Sequence, residues 1–346
     1  MTTRQRLVDL ACHALPALRP PVELEALPGG SLNRVFRLRD ARGKTLVLKQ
    51  APPRAALAPE IALDPGRLRF EAAALRALAP QGALAAVNGR DARTPTLLAG
   101  VEHAHLLAIE DLGQRPDLAD VAASGRLTDT HLDAVGAFVG RLHRISAGRP
   151  ELSPRFDNAA VQQTRHRVQY SAVSGFCRRA GLADSAALGQ HAEALGRRLL
   201  RPGRCLIMGD LWPRSVLVGD PQLYLLDWEF CHWGNPLQDL AHLATHLWII
   251  ARARDMDGQR WIDRFLSSYL DALGPARECL LDAQLVVDCA VHFGAEVLMR
   301  TSGPFRRGTP LHGLADSDPR MGEALSEAAR HLASPHSART FALLAT

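Results

Sequence analysis

Lysine is almost missing from this chain. The 346 residues contain two, Lys44 and Lys49, although lysine and arginine together number 41. Arginine is the default cation, so a lysine at a site stands out. Aromatic residues are also scarce, at 5%. The net charge of +5 would permit a nucleic-acid partner, but the arginines are scattered and few rings exist to stack on bases, which argues against one. No apolar run approaches the roughly 18 residues of a membrane-spanning helix. The six cysteines (Cys12, Cys177, Cys205, Cys231, Cys279, Cys289) form no C-x-x-C pair. That disfavours a zinc site or a disulfide framework and fits reduced thiols. The segment MTTRQRLVDLACHAL lacks a signal-peptide core and reads as an amphipathic helix. These absences predict a cytoplasmic protein with no nucleic-acid and no membrane partner.

The length suits two domains or one bilobal fold. A helix is expected over residues 4–18, then strands over 22–27, 34–38 and 45–49. Between the first two strands lies Pro28-Gly29-Gly30-Ser31-Leu32-Asn33. Backbone N–H groups in such a loop can cradle phosphate oxygens, although a plain β-turn would look the same. Asp64-Pro65 offers an N-cap and a first-turn proline for a helix running to about residue 79. Leu68, Glu71, Leu75 and Leu78 share one face of it. Glu71 therefore sits in an apolar stripe and needs a partner, for which Lys49 is the candidate. Residues 81–95 read as loop, and 96–98 and 105–109 as two more strands. Helices dominate afterwards. Thr130 and Asp133 form an expected capping box, and His143 in that helix reads as a core residue. His166, Arg167, Arg178, Arg179, His191 and Arg197 in the segment 157–200 read as solvated faces.

The richest stretch is CLIMGDLWPRSVLVGDPQLYLLDWEF, residues 205–230. Asp210 follows one apolar run, and Asp227 and Glu229 follow another. A strand over 215–218 and a turn at 219–221 join them, so the two acidic loops return side by side. Clustered carboxylates are costly without a neutralising partner, and a hard cation such as Mg2+ suits them. His242 and His246 lie one helical turn apart with Asp239 nearby, but no HExxH glutamate accompanies them, which argues against a transition-metal site.

Met208-Gly209-Asp210 with Ser215, then Asp227-Trp228-Glu229, resembles the catalytic core of the aminoglycoside phosphotransferase/choline kinase-like superfamily. The Ser215 and D-x-E features are most similar to methylthioribose kinases. Met208 stands where histidine is usual, and Ser215 where asparagine is usual. The resemblance implies an α+β, bilobal protein-kinase-like fold: a small N-terminal antiparallel sheet lobe with one helix (1–109), a hinge (110–112) and a larger, mostly helical C-terminal lobe (113–346). It implies ATP or GTP as phosphoryl donor, Mg2+, and a small-molecule hydroxyl as acceptor. Gly29, Gly30, Ser31 and Asn33 would cover the phosphates, and Lys49, set by Glu71, would contact them. The main chain of Glu110, Asp111 and Leu112 would meet the base. Asp227, Glu229 and Ser215 would hold the metal, and Asp210 would be the catalytic base. Asp239 would brace the catalytic loop. The departures at Met208 and Ser215 leave a nucleotide-binding sensor without turnover as an alternative. Monomer and homodimer are both compatible with the sequence.

Overall fold

The computed structural model describes residues 3–28, 32–56 and 59–345. A helix, Thr3–Ala14, precedes strands β1 (Glu23–Ala26), β2 (Arg34–Arg39), β3 (Thr45–Gln50), β4 (Leu97–Val101) and β5 (Leu106–Glu110). The first helix stops well before residue 18. Pro16 lacks an N–H and disfavours helical geometry at the residue before it. The strands form one antiparallel sheet in the order β1-β2-β3-β5-β4. Lys49 pairs with Val35 on one side and Leu107 on the other, which puts it at the centre of the sheet.

Strand alternation gives the sheet two faces. Leu38, Leu46, Leu48 and Leu106 form a small core with Leu7 of the first helix. Lys49 faces the opposite way, toward the helix Leu68–Leu78. Asp64 caps the short turn that feeds this helix, accepting from Gly66 N at 2.8 Å, with Pro65 at the first position. Leu68, Glu71, Leu75 and Leu78 are all buried, as their spacing predicts. Phe70, Leu75 and Leu78 join the main core of the C-terminal half, so this helix belongs to both lobes.

The second half is mainly helical. The helix Asp129–Ala147 packs along the helix Gln259–Leu273 at close range. A Cβ at Gly136 would stand 2.5 Å from Phe265 O, and one at Gly140 would stand 2.6 Å from Tyr269 O. Only glycine fits there. The capping box of the first of these helices is built from Thr128 and His131, not Thr130 and Asp133. The helix begins two residues earlier than the sequence signal suggested, and the imidazole replaces the usual acid. Residues 81–95 also differ from expectation: Ala92–Arg93 adds a short parallel strand beside Leu223–Leu225, which itself pairs with Val216–Val218. The helices Leu237–Arg252, Ala283–Thr301 and Pro319–Ala333 complete the fold. Among the described residues, no helix is long and apolar enough to cross a membrane.

Candidate active site

Lys49 is the electrostatic centre. Its Nζ lies 2.7 Å from Glu71 Oε2 and 2.7 Å from Asp227 Oδ1. Sheet, helix and the second acidic loop thus meet at one ammonium group. Burial works against the charge on Lys49, but Asp227, Glu71 and Glu229 more than offset it and hold the ammonium well above its ordinary range. Asp227 adopts a left-handed backbone, φ 62°, at the end of Leu223–Leu225. Its side chain is 47% exposed, whereas the Glu71 side chain is 2% exposed. Only Asp227 of the two can meet a ligand.

Glu229 does not stand with Asp227. Its Oε2 accepts from Arg67 Nε at 2.5 Å and its Oε1 from Asn33 Nδ2 at 2.7 Å. Arg67 also donates to Asn33 Oδ1 at 2.7 Å and to the carbonyls of Leu32, Pro52 and Asp64. Glu229 is thus paired with a buried guanidinium. The Asn33 side-chain amide is engaged at both ends, which holds the end of this segment against Arg67 and Glu229. Gly29, Gly30 and Ser31 lie outside the described residues.

The catalytic loop is held through its main chain. Asp239 accepts from Met208 N and Gly209 N, each at 2.8 Å. His143 Nε2 lies 3.2 Å from Asp239 Oδ2, and His143 Nδ1 lies 3.2 Å from Tyr269 OH. This imidazole, from another helix, contacts the carboxylate that braces the loop. Gly209, at φ 80°, leaves no room for a Cβ, which would fall 2.3 Å from Phe230 O. Ser215 is fully buried. Its hydroxyl donates to Trp212 O at 2.7 Å and accepts from Trp212 N at 3.3 Å. It ties the loop together from inside through Trp212.

Asp210 is partly exposed and faces the same cleft. Arg165 NH2 donates to its Oδ1 at 2.6 Å, and His242 Nε2 lies 3.3 Å from that atom. Burial opposes ionisation of Asp210, but His242, Arg165 and Arg300 outweigh it and hold the carboxyl well below the usual carboxylate range. Arg165 was not singled out by sequence, and no local signal separates it from the neighbouring arginines. His242 was noted only for its spacing to His246. The cluster of His242, His292 and Glu296 has ligand-type atoms within 4.8 Å of one another. Glu296, however, accepts from Gln169 Nε2 at 2.7 Å and Arg300 Nε at 2.6 Å, so its charge is already answered.

Lys49, Asp210, Asp227, Glu229, Arg165 and Arg300 line a cleft of about 580 Å³. Leu27, Val35, Leu217 and Leu226 are among its apolar lining residues. Gly113, Gln114 and Arg115 line it as well. Glu110 N donates to Thr96 O, so this part of the expected hinge is still within the sheet. Arg37 grips the Asp111 carboxylate at 2.7 and 3.0 Å, and Leu112 O accepts from Arg115 Nε at 2.7 Å.

The profile of the phosphotransferase enzyme family matches residues 23–281. A 4-hydroxytryptamine kinase of Psilocybe cubensis is 26% identical over 271 residues, covering 71% of this chain and 73% of that protein. Among solved structures, an amicoumacin kinase in complex with AMP-PNP and Ca2+ superposes with a TM-score of 0.55 at 14% identity, over 96% of this chain and 94% of that one. A spectinomycin phosphotransferase in complex with ADP gives 0.53 at 12% identity, over 96% and 98%. At such identities the structural likeness is one of fold.

Proposed function

The chain belongs to the phosphotransferase enzyme family and is a small-molecule kinase, and from that premise we propose that it transfers the γ-phosphoryl group of ATP or GTP to an acceptor hydroxyl, with Asp210 as catalytic base. The observation that carries this reading is the position of Lys49, 2.7 Å from both Glu71 and Asp227. A structural ion pair needs one carboxylate. A lysine held between a buried and a half-exposed one is preset to receive phosphate oxygens beside a metal-binding acid.

Asp227 fits Mg2+: it is a hard oxygen donor facing the cleft, and its Oδ2 has no protein partner among the described residues. Glu229 is already paired with Arg67 and Asn33, and the Ser215 hydroxyl is bonded to Trp212, so we assign the metal first to Asp227. Mg2+, when bound, neutralises charge on the phosphate oxygens. The protein's own part is positioning. Leu27, Val35, Leu217 and Leu226 take the base, and Lys49 aligns the phosphates. Asp210, ionised at neutral pH, orients the acceptor hydroxyl and takes its proton as the bond to phosphorus forms. The Asp239 brace fixes the catalytic loop before substrate arrives, which supports turnover over passive nucleotide sensing.

The test is a screen of small hydroxyl compounds for ATP- or GTP-dependent phosphorylation, with Lys49→Met as control. Transfer by the wild type and none by the variant is expected. Equal transfer by both would remove Lys49 from the chemistry.

A further inference from the structure

Beyond Asp210 the cleft changes character. Arg300 lies in the last turn of the helix Ala283–Thr301, and its side chain is 9% exposed. Its Nε donates to Glu296 one turn earlier. Its two terminal nitrogens have no protein partner among the described residues, and the residue lines the cleft. The guanidinium carbon stands 5.5 Å from the Trp212 ring centre and 5.6 Å from that of Phe305. Two aromatic faces therefore hold a cation whose donor fork is unspent. Arg307 lines the same wall and also lacks a protein partner among the described residues.

The anions nearby are already answered. Asp210 has Arg165 and His242, and Glu296 has Arg300 and Gln169. Burial, reinforced by the charge of Arg300, pushes His246 down to about 4, so it adds no charge at neutral pH. The rest of this wall is apolar, with Met299, Phe305 and Phe230 prominent. An ammonium group placed here would meet the free terminal nitrogens of Arg300, whose Nε is held by Glu296, and the guanidinium of Arg307. A carboxylate would meet a planar fork that matches it.

We propose that the acceptor is a flat, largely apolar hydroxyl compound carrying a carboxylate, with the carboxylate held by Arg300 beside Arg307 and the hydroxyl at Asp210. This rests on the phosphotransferase reading and deepens it. The acceptor oxygen bonds to the γ-phosphorus as the bond to the β,γ-bridging oxygen breaks. The hydroxyl proton passes to Asp210, and the nucleoside diphosphate leaves with the electron pair. The class is opposite in charge to tryptamines and aminoglycosides, which carry ammonium groups.

Three hydroxyindoles that differ only in the side chain on the ring test this with the whole protein and Mg-ATP: 4-hydroxyindole-3-acetate, 4-hydroxy-3-methylindole and 4-hydroxytryptamine. The expected order of kcat/KM is anionic, neutral, cationic. The ends should differ by about tenfold or more, the worth of one charge-assisted hydrogen bond. Arg307→Glu, on an exposed loop, should compress or reverse the order. Arg300→Gln should do the same if its melting temperature shows that it folds. A cationic probe turned over as fast as the anionic one, or an order untouched by Arg307→Glu, overturns the proposal. Turnover of none of the three, with Mg-AMP-PNP still raising the melting temperature, overturns the acceptor class and leaves the phosphotransferase reading standing. Loss of that nucleotide stabilisation as well would overturn both.

Discussion

Arg67 Nε stands 2.5 Å from Glu229 Oε2, and neither side chain is more than 4% exposed. The pair joins the start of the helix Leu68–Leu78 to the turn that follows Asp227. It also fixes Asn33, which enters β2 from the small-residue loop. A charge pair so deep gains little over an apolar contact, but losing one partner strands the other. Arg67→Met should destabilise the fold by about 3–5 kcal/mol, read from urea unfolding. Glu229→Gln should cost less, since the amide still accepts a hydrogen bond. The double variant Arg67→Met, Glu229→Met should recover much of the loss. A double variant no more stable than Arg67→Met alone would show that the pair is not the source of the effect.

Asp210→Asn keeps the shape of the loop and removes the acceptor of the hydroxyl proton. Turnover should fall about 10²–10⁴-fold, while the rise in melting temperature caused by Mg-ATP should stay as in the wild type. Unchanged turnover with a true acceptor would remove Asp210 from the proton-accepting role. Because the folded carboxyl is held low, its stabilising charge is present above the ordinary carboxylate pKa and is lost only as pH falls through the depressed value. The rate should therefore show no acid limb from Asp210 within the usual carboxylate range.

Asp227 and Glu229 share a turn but should differ in a metal titration. Asp227→Ala should abolish the Mg2+-dependent part of nucleotide stabilisation. Glu229→Gln should retain it. Equal loss in both variants would return Glu229 to the metal.

His246 predicts a pH dependence of stability. Its folded pKa, about 4, is below the ordinary 6.5 because burial and Arg300 disfavour the imidazolium. The unfolded chain then binds the extra proton between those values. The stabilisation is complete above about 6.5 and declines as pH falls toward 4, by up to about 1.4 kcal/mol per unit. His292, also held low by burial, acts in the same direction. His246→Gln should flatten this part of the curve. A variant curve parallel to the wild type between pH 6.5 and 4 would exclude His246 as a source.

Sequence alone determined a good deal. Strand alternation around Lys49 and the helical stripe through Glu71 follow from local geometry, which fixes which face of an element is buried. Those two periodicities were enough to bring the pair together. Asp210 and Asp227 were legible because each ends an apolar strand, and the strands are linked by a short turn. Asp239 was placed by resemblance, and it does brace Met208 and Gly209.

Tertiary structure decided the partners. Arg67 and Arg165 sit among dozens of arginines with no local mark, and both act across more than forty residues of chain, on Glu229 and Asp210. His143 was readable as buried, but its aim at Asp239 depends on how two distant helices pack. The D-x-E resemblance suggested a metal for Glu229, but only the tertiary structure shows the buried Arg67 that pairs with it. Periodicity reports burial, residue by residue. Which charge answers which is set by packing between lobes, and no short window of sequence contains that information.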